Sequence, residues 1–327
     1  MQSPRPHVLV LGGFGFIGRH AVSALRARDC RISIGSRFPR RRRAQPGEAS
    51  VEVHMERLLR AEQWRSLLEG IDVVVNCVGI LRQRGRETYR GVHHLGPAAL
   101  ARACAQSGQR LIHVSALGLD GGGRSRFLGC KRDGEAALRA SGADWRIVRP
   151  SLLDAEHDGF GARWIRRVAR WPWHPMPADA TGRIAALHVD DLAEALARLA
   201  LDPEVGAQDE LDREFELGGG QARTLIEHLA DLRALDCARP ARVLRIPAWL
   251  AQLGSHVCDL LHVTPLSYGH LELLRRDNCP RRNRLPELLG RAPRAIGDGP
   301  GRGRMGATEV AGASDGGEQD QGHYCEC

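Results

Sequence analysis

Between an apolar run at His7 to Leu11 and a helical pattern that opens near Phe16 stands Gly12-Gly13-Phe14-Gly15-Phe16-Ile17-Gly18. Three glycines at GxxGxxG spacing, placed where a strand gives way to a helix, constrain the fold more than any other stretch. One glycine permits the tight turn, a second lets backbone approach a pyrophosphate, and a third lets helix and strand pack closely. The helix N-terminus then offers free N–H groups and the positive end of its dipole to an anion. A glycine-rich turn with no ligand has the same letters, so the weight comes from the strand-to-helix position. Gly12, Gly15 and Gly18, with the backbone of Phe16 and Ile17, form the candidate diphosphate cradle.

The first half of the chain alternates strand and helix signals. Apolar runs at His7 to Leu11, Arg31 to Ile34, Val51 to Val53, Asp72 to Asn76, Arg110 to Val114 and Trp145 to Val148 read as short buried strands. Ile17, Ala21, Val22 and Leu25 line one helix, and Val92, Gly96, Ala99 and Ala103 another. Strands alternating with helices imply βαβ units and a doubly wound parallel sheet of the Rossmann type. After Pro150 the regularity loosens. Phe160 to Trp171 reads as a helix, Ile184 to Val189 as a strand, and Asp190 as the cap of a helix faced by Leu192, Ala195, Leu196 and Leu199. A strand near Phe215 to Leu217, a helix from Thr224, a strand at Val243 to Ile246 and helices at Ala248 to Leu261 and Ser267 to Arg276 follow. The expected organisation is a nucleotide-binding core over 1–150, completion of the sheet plus a small C-terminal α/β lobe over 151–297, and a disordered glycine-rich tail over 298–327.

The second strand bears on which nucleotide is held. A site for NAD places Asp or Glu about 20 residues past the glycine loop, to accept from the ribose hydroxyls. This strand instead ends Ile34-Gly35-Ser36-Arg37. A planar guanidinium at Arg37 suits a 2′-phosphate and Ser36 can donate to it, which favours NADP over NAD. Arg40 to Arg43 read as solvated loop or as added charge. The fourth strand ends Asn76-Cys77-Val78-Gly79, where Val78 and Gly79 let the chain pass close to the dinucleotide or simply end the strand. Glu56, after the third strand, is a weaker candidate for the adenine amino group.

The formal charge of +8 invites a nucleic-acid partner, yet of the 47 lysines and arginines only Lys131 is lysine. An arginine bias this general, scattered apart from Arg40 to Arg43, reads as compositional drift. With 5% aromatic residues there is no stacking surface either, so no nucleic-acid partner is expected. No run approaches the ~18 apolar residues of a membrane span. The nine cysteines form no CxxC pair, and the histidines show no HxxxH spacing; no metal site and no disulfide framework are expected. A cytoplasmic protein is the default.

Together these residues resemble the short-chain dehydrogenase/reductase superfamily, in its atypical branch. That branch includes the NADPH-binding accessory subunit of respiratory complex I and bacterial NAD-dependent epimerase/dehydratases. The matching stretches are Gly12 to His20, Asp72 to Leu81, His93 to Leu100, Leu111 to Gly118, Arg149-Pro150-Ser151, His188 to Ala193 and Leu285 to Arg291. The resemblance implies a catalytic serine after the fifth strand and a Tyr-x-x-x-Lys on the next helix. Four-residue spacing sets the last two on one helical face. Ser115 fits the serine and Lys131, on a helix expected over Ser125 to Arg139, fits the lysine. Phe127 stands where the tyrosine would be, and a phenyl ring has no proton to give. Tyr89, Tyr268 and Tyr324 lie elsewhere in sequence. Each site residue has a plainer reading, Ser115 as a strand-end hydroxyl serving nearby backbone and Lys131 as a surface charge. The retention of the chain's one lysine here favours a preserved ribose contact. His188 reads as structural.

Two functions follow from the resemblance. One is an NADP(H)-binding protein with weak or no redox activity and an assembly, stabilising or sensing role toward a protein partner. The other is an active oxidoreductase or epimerase-like enzyme on a carbonyl or quinone, using Lys131 and Ser115.

Overall fold

The computed structural model describes residues 5–39, 44–120, 123, 125–206, 211–237, 239–261 and 268–296. The expectations for Arg40 to Arg43, for Tyr324 and for the tail over 298–327 therefore lie outside the described residues. Strand β1 (His7–Leu11) runs into helix α1 (Phe16–Arg26), then β2 (Arg31–Ser36) and β3 (Ala49–Glu52). Helix α2 (Arg65–Leu68) leads to β4 (Val73–Asn76), α3 (Gly96–Ser107) to β5 (Arg110–Val114), and α4 (Arg126–Arg139) to β6 (Asp144–Pro150). Beyond β6 come β7 (Leu153–Asp154), α5 (Phe160–Ala169), β8 (Trp173–Pro177), β9 (Arg183–Ile184), β10 (Leu187–His188), α6 (Val189–Leu201) and β11 (Glu214–Leu217). The described chain closes with β12 (Arg223–Thr224), α7 (Leu225–Ala234), β13 (Arg242–Ile246), α8 (Ala248–Leu261), α9 (Tyr268–Leu274) and α10 (Leu285–Leu289).

Seven strands form one sheet in the order β11-β6-β5-β4-β1-β2-β3, and every neighbouring pair is parallel. The strand order reverses between β1 and β4, so the crevice past their carboxyl ends is where such a sheet takes its ligands. Alternation along β1 assigns its two faces. Val8 and Val10 pack with Ala21, Val22 and Leu25 of α1 and with Leu192, Ala195 and Leu199 of α6. Leu9 and Leu11 pack oppositely with Trp64, Leu68 of α2, Ala99 and Ala103 of α3 and Leu138 of α4. Both faces are sealed, as a parallel sheet requires. A smaller core of Val168, Met176, Leu229 and Leu232 joins α5, β8 and α7.

The element boundaries follow local chemistry. Helix α4 starts where the Ser125 hydroxyl accepts from the Leu128 amide at 3.3 Å, and α7 where Thr224 and Glu227 form a reciprocal capping box. Two expectations are corrected. Ile184 to Val189 is not one strand: β9 and β10 are separate two-residue strands paired to different partners, and Val189 already opens α6. Nor is Asp190 the cap of α6. His188 caps it through Nδ1, which accepts from the Asp190 amide at 3.2 Å, while the Asp190 carboxylate is held by Nδ1 of His20 at 2.5 Å. Ahead of α3, residues Arg90–Leu95 make a wide π turn, a feature that concentrates at functional sites.

Candidate functional site

The turn after β1 is built for close approach of backbone. Gly12 has φ +73°, and a Cβ there would lie 3.2 Å from the Cys77 carbonyl carbon and the Val78 amide nitrogen. A Cβ on Gly15 would come within 2.9 Å of the Gly12 carbonyl oxygen, and one on Gly18 would overlap that oxygen. The Gly12 and Gly13 amides donate to the Gly35 carbonyl at 2.8 and 3.3 Å, tying the loop to β2. Gly15 is the N-cap of α1, with no capping side chain and no acid in the first turn. Eleven residues of helix therefore present their uncapped positive end at the switch point, and the group these residues fit is a diphosphate.

Ser36 ends β2 and Arg37 follows it. The Ser36 hydroxyl accepts from the Phe38 amide at 3.3 Å. The half-exposed Arg37 guanidinium is paired with Glu87, from the segment that precedes the π turn. Glu56 has its side chain 6% exposed and faces Nδ1 of His54 at 3.2 Å. At the end of β4 the buried Asn76 shapes the turn through Cys77. Its Oδ1 accepts from the Val78 amide at 3.1 Å, and its amide nitrogen lies 3.0 Å from Nδ1 of His113. Gly79 has only the His93 ring beside it, 3.5 Å from where a Cβ would sit, so its close approach is to that ring.

The polar end of the site lies past β5 and along α4. Ser115 is buried beside the Glu135 carboxylate, whose ionised form it supports, yet its hydroxyl makes no hydrogen bond of good geometry. Lys131 stands one turn before Glu135 on α4, with Nζ 5.7 Å from the centre of the Phe127 ring. It has no hydrogen-bond acceptor among the described residues. Burial pushes its ammonium down to about 8, partly opposed by the charge of Glu135. Burial, and secondarily the Lys131 charge, push His93 down to about 3 and His113 to about 4, so both rings are neutral.

Glu135 is also the hub of a buried ion network. Arg149 grips it with two bonds of 2.9 and 2.5 Å, Arg139 adds one at 3.0 Å, and Glu214 bridges Arg139 and Arg149. These cations hold the Glu135 carboxyl below its ordinary range against the cost of burial. Arg149 of the Arg-Pro-Ser motif thus supports the lysine's neighbour. Ser151 donates to the Asn278 carbonyl at 2.7 Å and accepts from the Ala185 amide at 3.0 Å, stitching the late chain to β6.

Residues 12–168 match the family model described as NAD(P)H-binding. The chain is 31% identical over 201 residues to the ceramide reductase of Caulobacter vibrioides, covering 61% of this chain and 62% of that protein. It is 24% identical over 227 residues to NADH dehydrogenase [ubiquinone] 1 alpha subcomplex subunit 9, mitochondrial, of Dictyostelium discoideum, covering 67% of this chain and 61% of that one. Less than two thirds of either relative's own length is thus spanned. Among solved structures, the dTDP-glucose 4,6-dehydratase of Bacillus anthracis in complex with NAD superposes with a TM-score of 0.62 at 14% identity, over 89% of this chain and 92% of that one. The chain thus carries an NAD(P)H-binding domain on a Rossmann-type fold, the fold it shares with that NAD-bound dehydratase. Sequence reasoning missed the aromatic wall around Phe127. Tyr89, set aside as remote in sequence, has its ring 5.5 Å from that of Phe127, while its hydroxyl donates to the Leu81 carbonyl at 2.9 Å. His93 meets Phe127 edge-on at 5.4 Å, and His270 stacks on it at 5.8 Å. The π turn carries His93 there and α9 brings His270 from 143 residues away in the chain; no local pattern signals either.

Proposed function

We propose that this chain is a cytoplasmic NADP(H)-binding protein whose redox turnover is weak or absent, with an assembly, stabilising or sensing role toward a protein partner. One observation carries the reading: a half-buried Lys131 with no hydrogen-bond acceptor among the described residues stands over a phenyl ring at Phe127, where a hydroxyl would be needed to move a proton. When bound, the nicotinamide gives or takes a hydride. The protein's part is then as follows. Amides opening α1 bind the diphosphate, with Gly12, Gly15 and Gly18 clearing the approach, and Val78 and Gly79 flank the dinucleotide. Lys131 holds the nicotinamide ribose. Arg37 and Ser36 face a 2′-phosphate, for which the half-exposed Arg37 exchanges its partner Glu87 for a more highly charged anion. Ser115 offers a hydrogen bond to a substrate oxygen, and Phe127 keeps water from it without supplying a proton.

A second reading has its own support. An ammonium lowered to about 8 is poised to donate a proton near neutral pH, which would make Lys131 the acid of a working carbonyl reductase; the 31% identical relative is itself named a reductase. The test is NADPH oxidation over a panel of carbonyls and quinones by the native chain, Phe127→Tyr and Lys131→Ala, with thermal stabilisation by NADPH measured in parallel. The first reading expects stabilisation without turnover in the native chain, and turnover in Phe127→Tyr. Turnover by the native chain that Lys131→Ala abolishes overturns it for the second. Failure of NADPH to raise the melting temperature overturns both.

A further inference from the structure

The exposed apolar side chains are concentrated in one stretch of the chain. Among the described residues, nine of the eleven exposed large apolar side chains fall between Phe160 and Val257. Strand β13 pairs in parallel with β8, setting Arg242 beside Trp173 and Leu244 beside Pro175. Trp173 and Leu244 are about half exposed, and Trp171 nearly so. Helix α8 follows β13 directly. Its Trp249, Leu253 and Val257 recur at four-residue spacing on one face and are 69%, 56% and 47% exposed. A helix face this apolar is normally turned inward, because leaving it in water forfeits the free energy of burial.

Charge is concentrated in the same segments. Residues 160–178 and 237–258 hold seven arginines and no aspartate or glutamate. The Arg242 guanidinium lies 5.4 Å over the Trp173 ring. Along α5 a cavity of about 410 Å³ is lined by Arg163, Arg166, Arg167 and Arg170, with Glu156 and Asp236 on its wall. Asp154 neutralises Arg166, and Asp236 neutralises Arg170. Arg163 and Arg167 have no ion pair among the described residues.

We infer that this face docks on the surface of an anionic phospholipid bilayer. Tryptophans suit the headgroup level, where one edge of the ring meets lipid and the other meets water. An apolar helix flanked by arginines lies in that plane with its charges on lipid phosphates. A second copy of the chain is a poor occupant, because a two-fold contact would set one arginine-rich face against another. No described helix is long and apolar enough to cross a membrane, so the attachment is to one leaflet and reversible.

The test is co-sedimentation of the full chain with phosphatidylcholine vesicles, with and without phosphatidylglycerol, over a salt series. Binding is expected only with phosphatidylglycerol and is released by salt. Arg163→Gln with Arg167→Gln should weaken it about 25-fold, at about fivefold per arginine near an anionic surface. Trp249→Ser with Leu253→Ser and Val257→Ser should abolish it, with the melting temperature and its response to NADPH kept in each variant. The arginine pair decides the matter if the helix variant does not fold. Failure to sediment with either vesicle overturns the proposal. So does equal binding to neutral vesicles, or salt-sensitive capture by polyglutamate while vesicles are ignored, which assigns the face to an acidic protein.

Discussion

Replacing Lys131 with methionine isolates the cost of keeping an ammonium group inside the site. In the folded chain burial lowers this group from 10.5 to about 8. Between those values the unfolded chain still binds the proton that the folded chain has released, so stability rises with pH across that window; below it the full penalty applies. That lowering, at about 1.36 kcal/mol per tenfold change in proton affinity, sets the penalty near pH 7 at about 3 kcal/mol. Lys131 is partly open to solvent, which makes this an upper figure. Methionine keeps the length and the contact with Phe127 while removing the charge, and Glu135 retains Arg149 and Arg139 as partners. Urea unfolding of the nucleotide-free proteins should therefore show Lys131→Met more stable by up to about 3 kcal/mol near pH 7, with the gap shrinking to about 1 kcal/mol near pH 10. The same variant should lose most of its stabilisation by NADPH, since the ribose contact goes with the charge. A variant no more stable than the native chain at pH 7, or a gap that ignores pH, refutes the reasoning.

Glu135→Gln leaves the buried Arg149 with Glu214 alone and should destabilise by about 3–5 kcal/mol in urea. Because the Glu135 carboxyl is held low, its contribution is present above the unfolded carboxylate range and fades on acidification through the folded value, so the loss on substitution should shrink in acid. Gly18→Ala puts a methyl group into the Gly12 carbonyl oxygen and should abolish NADPH binding by calorimetry as well as lowering the melting temperature. Glu87→Gln frees Arg37 and should tighten NADPH binding severalfold while leaving NADH binding unchanged.

The sheet was legible because its rules are local. Alternating Val8 to Leu11, the small residues Gly96, Ala99 and Ala103, and the Gly12 to Gly18 turn each answer to backbone geometry. All six expected N-terminal strands lie within two residues of those observed, and Phe127, Lys131 and Glu135 share α4 as their spacing requires. What stayed hidden depends on partners distant in sequence. Glu87 on Arg37, Glu135 on Arg149 and Tyr89 over Phe127 are contacts that neither period nor composition encodes. Asp190 looked like a cap because aspartate favours that position; His20 holds its carboxylate and leaves the capping to His188. The fully buried Asp191, in the His188 to Ala193 stretch, clamps Arg291 and Arg294, partners about 100 residues away that no local pattern signals.

The central claim is an anion cradle at the start of α1 with a guanidinium beside the adenosine ribose. Calorimetric titration of NADPH and NADH into the native chain and Arg37→Glu, at one ionic strength, tests it most directly. The expected result is tighter binding of NADPH by the native chain, by about 10- to 100-fold as a charge-assisted contact of about 1.5–3 kcal/mol implies, with the preference lost in Arg37→Glu. No affinity for either nucleotide, or an NADPH preference that survives Arg37→Glu, contradicts the account.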